Sequence, residues 1–223
     1  LMLSKIKVRF IFFIYLLSSI SVFGNSSESN ILIKNQLYNF STIKNNKDMA
    51  IDWELRGSML TKYINNITLI EKPFLNIYKT VSTIDIKSDT AIDPAGNMEE
   101  IYLKDNVFIN REYLPDNISM KVYTSYAIFY VSKNLFETDR NVTIITSDST
   151  TTGSGLSANM DTGIIRILSN AKRTIRENNK SRVIEGHQMI YDANEEKWIV
   201  KNIAANDLKK TITKKVTTTF NIK

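Results

Sequence analysis

A unit of about 30 residues recurs along the chain, and this repeat limits the possible folds more than any other feature. Each copy has an apolar strand, a tight turn and a second strand. Asn106, Asn141 and Asn170 hold equivalent positions, 35 and 29 residues apart, and Lys72 and Asn202 extend the series by 34 residues upstream and 32 downstream. Because one hairpin cannot bury its apolar face alone, such a repeat is typical of stacked hairpins. The chain after about residue 48 is therefore predicted to be all-β.

Apolar and polar residues alternate in several of these runs, as expected for half-buried strands. Ile51, Trp53 and Leu55 alternate with charged residues, and Val122 to Tyr130 and Ile165 to Ile167 show the same period. No segment after residue 24 has the period of an amphipathic helix. The sequence therefore predicts one β domain over residues 48–223, with an extra repeat from about residue 186 and a C-terminal edge strand at 216–223.

The composition is compatible with one domain and excludes several kinds of site. The 223 residues are 43% hydrophobic, which is enough for a core, and none is cysteine. Disulfide frameworks, thiolate zinc sites and cysteine nucleophiles are therefore excluded.

The N-terminus has the pattern of an export or anchoring segment. Lys5, Lys7 and Arg9 precede an apolar run from Phe10 to Leu17, and a basic flank of this kind directs the following chain across a membrane. Residues 1–24 are compatible with a signal peptide, cleaved before Asn25, or with a single membrane-spanning helix. N-terminal sequencing of the mature chain distinguishes the two. Residues 25–47, rich in Asn, Ser and Lys, are interpreted as a linker or a loosely paired first strand.

No combination of residues in the sequence favours catalysis, and we expect no cofactor or metal. His187 is the single histidine, and Glu99-Glu100, Asp89 and Asp93 lie in turns, where a solvated role is more typical than acid and base catalysis. The Gly153-Ser154-Gly155 segment leads into another strand. A phosphate-binding glycine loop opens a helix, so these glycines are expected to allow a strand bend or bulge.

The excess of basic residues does not indicate nucleic-acid binding. The formal charge is +6, from 29 Lys and Arg and 23 Asp and Glu, and the basic residues are scattered. One cluster, Lys209-Lys210 and Lys214-Lys215, flanks the C-terminal strand. Lysines beside an edge strand commonly prevent unwanted pairing, so we expect no nucleic-acid partner.

Short motifs follow one another in a fixed order over roughly residues 1–175. They are Trp53-x-Leu-x-Gly57, Ser88-Asp89-x-Ala91, Ile101-x-Leu-x-x-Asn-Val107, Thr124-x-x-Ala127, Val142-x-Ile144, Gly153-x-Gly-Leu156, Asp161-x-Gly163 and Leu168-Ser-Asn170. This ordered set resembles the LptC family, the periplasmic, inner-membrane-anchored component of lipopolysaccharide export. The bridge protein family LptA shares the repeat. The tryptophan in the first repeat, close behind the leader, favours LptC and an uncleaved anchor helix.

This resemblance implies an open, twisted β-jelly roll with an apolar groove for the acyl chains of lipopolysaccharide. It also implies two protein partners: an inner-membrane ABC transporter complex on the N-terminal side and an LptA-like bridge protein at the C-terminal edge. The predicted groove lining is Trp53, Leu55, Ile101, Leu103, Val107, Ile109, Tyr126, Ile128, Tyr130, Val142, Ile144, Ile165 and Ile167, and the predicted partner-binding edge contains Val216, Thr218, Phe220 and Ile222.

Two other interpretations remain at this point. A soluble LptA-like bridge would act in the same pathway without the leader. A β module unrelated to lipid, such as an adhesin-like structural unit or a β-sandwich carbohydrate enzyme, is the third. The enzyme would need ionisable residues converging in one cleft, which the scattered acids do not suggest.

Overall fold

The computed structural model describes residues 32–113, 118–177, 180–193, 195, 197–202 and 217–221, and these are almost entirely strand. The prediction of an all-β fold is confirmed. The predicted N-terminal helix, residues 1–24, lies outside the described residues. Among those described, we find no helix with the length and apolar character needed to cross a membrane. The strands are β1 Ile33–Asn45, β2 Ile51–Tyr63, β3 Thr68–Glu71, β4 Phe74–Lys79, β5 Ser82–Lys87, β6 Thr90–Asp93, β7 Glu100–Tyr113, β8 Ile118–Tyr130, β9 Leu135–Ile145, β10 Ser149–Asn159, β11 Ile164–Glu177, β12 Lys180–Gly186, β13 Gln188–Asp192, β14 Lys197–Lys201 and β15 Thr217–Asn221.

Neighbouring strands pair antiparallel in the order β15-β14-β13-β11-β10-β9-β8-β7-β5-β4-β2-β3-β6, with β1 on β2, β12 on β11 and β6 also on β7. Several long strands change partner halfway. In β2, residues 53–56 pair with β4 and residues 59–62 pair with β3. In β11, residues 171–177 pair with β12 and residues 164–167 with β13. Each of these long strands therefore belongs to two half-sheets, and the sheet bends where the strands change partner. The positions of these partner changes form a line across the sheet, which we call the crease.

The crease divides the sheet into two layers that face each other. The first layer contains β4, β5, β12 and residues 40–45, 51–56, 107–113, 118–124, 141–145, 149–154 and 171–177 of the long strands. The second layer contains β3, β6, β13, β14, β15 and residues 33–38, 59–63, 100–104, 126–130, 135–138, 156–159 and 164–167. Each connection between hairpins therefore lies either at the crease or at the opposite, open edge. The buried apolar side chains of both layers form one core.

Left-handed backbone conformations mark the crease and explain the repeat in the sequence. Lys72, Asn106 and Asn170 have φ of 47°, 50° and 50°, and Asn39, a further 33 residues upstream of Lys72, has φ of 46°. Asparagine tolerates this region better than most residues, which accounts for its recurrence. Asn141 is the exception, since it keeps a negative φ and instead accepts a hydrogen bond from Ser154 at 2.9 Å.

Side chains replace the ladder hydrogen bonds that the bend removes. The Ser58 hydroxyl donates to the carbonyl of Glu71 at 3.2 Å, and the Thr124 hydroxyl donates to that of Asn141 at 3.0 Å. The Ser169 hydroxyl donates to the Ser154 carbonyl at 3.1 Å. Unpaired backbone groups are costly inside a fold, so these hydroxyls allow the sheet to bend without leaving carbonyls unsatisfied.

The bend also changes which residues of a strand face inward. In β8, Met120 and Val122 are buried before the crease and Ala127 and Phe129 are buried after it, so the inward parity changes from even to odd. The register shift between Tyr123 and Ile128 accounts for this change. β10 also changes parity, from odd at Ser149 and Thr151 to even at Leu156 and Ala158, around Gly155, which has φ of 74°. The glycines of this segment therefore form a strand bulge, as predicted.

The segment interpreted as a linker or a loosely paired first strand contains a long strand. β1, Ile33–Asn45, pairs with β2 along most of its length. Most of its residues are exposed, which explains the polar composition that made it resemble a linker. The described sheet therefore begins near residue 33, and the predicted domain boundary at residue 48 is too late.

Asp89 joins three segments at the crease and provides a test of its contribution to stability. Its carboxylate accepts hydrogen bonds from Lys72 Nζ at 2.7 Å and Asn106 Nδ2 at 2.6 Å. These bonds, the one from Lys72 first, lower the pKa of Asp89 from its ordinary 3.8.

We expect Asp89→Asn to lower the melting temperature at neutral pH. Because the folded-state pKa is lowered, the stabilisation by this carboxylate is complete above its unfolded pKa and is lost as the pH falls through the folded value. The difference between native protein and variant, measured by thermal denaturation and circular dichroism, should therefore vanish in strong acid. Asp139→Asn, an exposed carboxylate paired with its chain neighbour Arg140, is the control. The same pH dependence in both variants would contradict this role.

Candidate functional site

An apolar cavity of about 350 Å³ lies between the two layers at the N-terminal end of the fold. A volume near 300 Å³ or more is typical of sites that enclose small ligands or parts of larger ones. Its lining comprises Lys44, Asp52, Trp53, Leu55, Ile70, Pro73, Leu75, Ile77, Lys79, Ile86, Ala91, Met98, Ile101, Leu103, Phe129, Val131, Ser132 and Asn134.

Both layers contribute walls because the bend at the crease brings their inner faces together. Leu75, Ile77 and Ile86 line the cavity from the first layer, and Ile70 and Leu103 line it from the second. Residues two apart on a strand share a face, so each short strand supplies alternate apolar side chains. An interior built this way favours hydrocarbon over water.

The polar lining residues gather at the open edge. Lys44 and Asp52 flank the turn between β1 and β2 and form an ion pair at 3.4 Å. Lys79 ends β4, and Asn134 follows the short 3-10 turn Val131–Lys133 after β8. Charged and amide groups thus surround the mouth while aliphatic groups form the interior. This arrangement suits an amphiphile whose apolar part enters the cavity.

An aromatic stack closes the cavity on its C-terminal side. The rings of Phe129 and Phe136 lie parallel, with centroids 4.3 Å apart and an interplanar angle of 8°. Phe129 lines the cavity, and Phe136 behind it is fully buried. Beyond this stack the inner faces are packed together by buried side chains, including Ile144, Ile167 and Met189.

A buried charge lies on the inner face further along the stack. The Arg173 guanidinium is 4.5 Å from the centre of the Trp198 ring and forms an ion pair with Asp148 at 3.4 Å. Burial, partly offset by Asp148, lowers the pKa of Arg173. The interior is therefore not uniformly apolar, and the apolar cavity belongs to its N-terminal part.

Ten of the thirteen predicted lining residues have side chains on the inner face. Trp53, Leu55, Ile101 and Leu103 line the cavity. Val107, Ile109, Val142, Ile144, Ile165 and Ile167 are buried in the packed core.

The placement of Tyr126, Ile128 and Tyr130 on the inner face was wrong. These side chains are half-buried on the opposite face of β8, where Tyr102 meets Tyr126 edge to face. The prediction continued the alternation of even-numbered inward residues from Val122 through the crease. Beyond the crease the odd-numbered residues face inward instead. Ala127 and Phe129 are the inward residues of that half-strand.

Fourteen of the eighteen lining residues were not predicted. Five of these are polar and lie at the mouth: Lys44, Asp52, Lys79, Ser132 and Asn134. The other nine are apolar and lie mostly on short strands, whose alternation gave a usable signal at Leu75 and Ile77 and at Ile84 and Ile86. They are Ile70, Pro73, Leu75, Ile77, Ile86, Ala91, Met98, Phe129 and Val131.

The predicted C-terminal edge is partly described. Thr218 and Phe220 lie on β15 and are the register partners of Val200 and Trp198 on β14. Val216 and Ile222 lie outside the described residues. Within the described part of the chain, β15 is at one end of the strand order.

Asp89 and Asp93, two of the carboxylates considered for catalysis, have structural partners. Asp93 accepts hydrogen bonds from the backbone amides of Ala95, Gly96 and Met98 and so holds its own turn. In the described residues, no three His, Cys, Asp or Glu side chains form a group that could hold a metal ion.

Comparison with known families agrees with the motif pattern. A family model described as LptC, lipopolysaccharide-assembly, LptC-related, matches residues 10–177, well over half of the chain. The chain belongs to the LptC family. This family is a component of lipopolysaccharide transport. The match ends with β11, so β12 to β15 follow the part recognised as LptC. The comparison with curated proteins gives no match.

Removing the Phe136 ring tests whether the aromatic stack supports the cavity wall. Truncating a fully buried phenylalanine to alanine typically costs about 3–5 kcal/mol. We expect Phe136→Ala to lower the free energy of unfolding in urea by this amount. Phe108→Ala is the matched control, because Phe108 packs against Tyr123 on the outer face at 5.1 Å and should cost about 1 kcal/mol. Equal losses in the two variants would show that the stack has no special role.

Proposed function

We propose that this protein carries lipopolysaccharide with its acyl chains in the cavity between the layers and its sugars and phosphates outside. The observation that supports this proposal is an apolar cavity with a polar mouth in a chain of the LptC family. The family supplies the transport role, and the cavity supplies a place for the apolar part of the cargo.

The energetics of the cavity favour acyl chains. Each methylene that leaves water for an apolar site contributes about 0.8 kcal/mol. Sugars and phosphates would lose their hydration inside the cavity, where the walls offer few hydrogen bonds. Binding therefore selects the hydrocarbon part and leaves the glycan in water. No chemical step is required of this chain.

The same proposal includes the handover partners. We propose that the inner-membrane ABC transporter complex docks on the N-terminal side and an LptA-like bridge protein at the C-terminal edge. Edge strands have unpaired backbone groups that can extend a sheet into a partner. Among the described strands, β1 pairs with β2 alone and β15 ends the strand order, so each suits this kind of docking. Residues 1–24 are proposed to be an uncleaved anchor that holds the domain on the periplasmic side of the inner membrane.

Filling the cavity tests the proposal. Ala91 is buried on β6 and lines the cavity, so a larger side chain there projects into the space proposed for lipid. If Ala91→Phe excludes about two methylenes, binding of lipopolysaccharide should weaken about 15-fold. The measurement is the amount of lipopolysaccharide retained by the purified protein at several lipid concentrations.

Ala95→Phe is the matched control, because it adds the same ring on an exposed turn. Circular dichroism confirms that both variants are folded. Native retention of lipopolysaccharide by folded Ala91→Phe would show that the lipid does not occupy this cavity.

A further inference from the structure

We propose that acyl chains enter the cavity sideways, through the open edge of the layers, and that an ion pair between Lys79 and Asp161 closes this entrance. This inference rests on the proposed function and adds a route of entry to it. Lys79 Nζ lies 3.4 Å from Asp161 Oδ1, although the two residues are 82 positions apart in the chain.

The ion pair joins the two layers at the mouth of the cavity. Lys79 is the last residue of β4 in the first layer, and Asp161 lies in the turn between β10 and β11 in the second. Ile77, two residues before Lys79, faces the same cavity from deeper in the fold. Lys79 and Asn134 both belong to the lining, so anything that enters between these hairpin ends must pass this contact.

The two sides of the contact differ in how firmly they are held. Asn134 donates two hydrogen bonds to the Asp161 carboxylate, both at 3.0 Å, and its carbonyl accepts the amide of Met160 at 2.8 Å. The side chain of Asn159 also accepts the amide of Asp161 at 3.0 Å. Lys79 contributes one flexible side chain and one long contact. The second layer therefore presents a fixed acceptor, and the contact opens by movement of Lys79.

The strength of the contact suits an entrance that opens often. The Lys79 and Asp161 side chains are 30% and 54% exposed. Exposed ion pairs of this kind shift an equilibrium by about 1.5- to 5-fold. Such a contact biases the edge toward closure without preventing its opening.

The other ways into the cavity are more obstructed. The Phe129 and Phe136 stack closes the C-terminal side, and opening it would disturb a fully buried ring. On the N-terminal side, β1 pairs with β2 from Ile33 to Asn45 and covers that end of the sheet. At the open edge the exposed ion pair of Lys79 and Asp161 joins the layers, so opening there leaves the aromatic stack and the β1–β2 pairing intact.

A reversible tether across the entrance tests the route. The chain has no cysteine, so Lys79→Cys with Asp161→Cys introduces a unique pair that a short bis-maleimide with a reducible linker can join. A photo-crosslinking amino acid at Leu103 reports cavity occupancy after the full-length protein is mixed with lipopolysaccharide micelles. We expect the tether to abolish lipopolysaccharide adducts and reduction of the linker to restore them.

A tether within one layer is the matched control. Glu137 and Ser157 are register partners on β9 and β10 of the second layer, and their side chains are 3.3 Å apart. Joining cysteines at these positions leaves the two layers free to separate, so adducts should form normally. Undiminished adducts with the Lys79 to Asp161 tether in place would overturn sideways entry. Absence of adducts in the untethered native protein would instead overturn the proposed function.

A second variant tests the ion pair without a chemical tether. Lys79→Met keeps the length of the side chain and removes its charge, so the initial rate of adduct formation at Leu103 should rise about 1.5- to 5-fold at low salt. High salt should reduce this difference, because exposed charges are screened. A rate equal to that of native protein at low salt would show that the ion pair does not control entry.

Discussion

The bend at the crease is the constraint on which the rest of the structure depends. Every long strand from β2 to β11 crosses it, and each crossing interrupts the ladder of backbone hydrogen bonds. Residues with a left-handed backbone conformation, such as Asn106, allow the strands to bend there. Side-chain hydroxyls such as that of Thr124 donate to backbone carbonyls that the bend leaves without a ladder partner. Without them the sheet would extend flat, with one apolar face open to water. With them the two layers close over a shared interior.

The cavity and its mouth follow from the same bend. Folding the sheet along one line places all hairpin ends at the opposite edge, where turns are polar and exposed. Side chains that face inward near the crease meet each other, while those near the hairpin ends also meet water. An apolar interior with a polar, separable edge is thus a geometric consequence of the fold. It fits a carrier of an amphiphile, which must enclose hydrocarbon and release it again.

The sequence predicted the fold class and the repeat, and it placed part of the inner face correctly. Alternation identified Leu55, Ile101 and Leu103 correctly because each lies on a stretch that keeps its parity. It failed at Tyr126 to Tyr130, because a bulge changes parity without changing the appearance of the pattern. The long polar strand β1 was missed as a definite strand because an exposed edge strand needs no apolar face. The cavity itself could not be predicted, because its position depends on where the inward side chains of the two layers fail to fill the space between them. The sequence composition does not indicate this.

Photo-crosslinking on the second half of β8 tests the central claim most directly. Phe129 lines the cavity, and its neighbour Ile128 faces the other side of the same strand. A photo-crosslinking amino acid placed at each position in cells should give lipopolysaccharide adducts at residue 129 and none at residue 128. Adducts at residue 128 alone, or at neither position in a folded and exported protein, would contradict a lipid carried between the two layers.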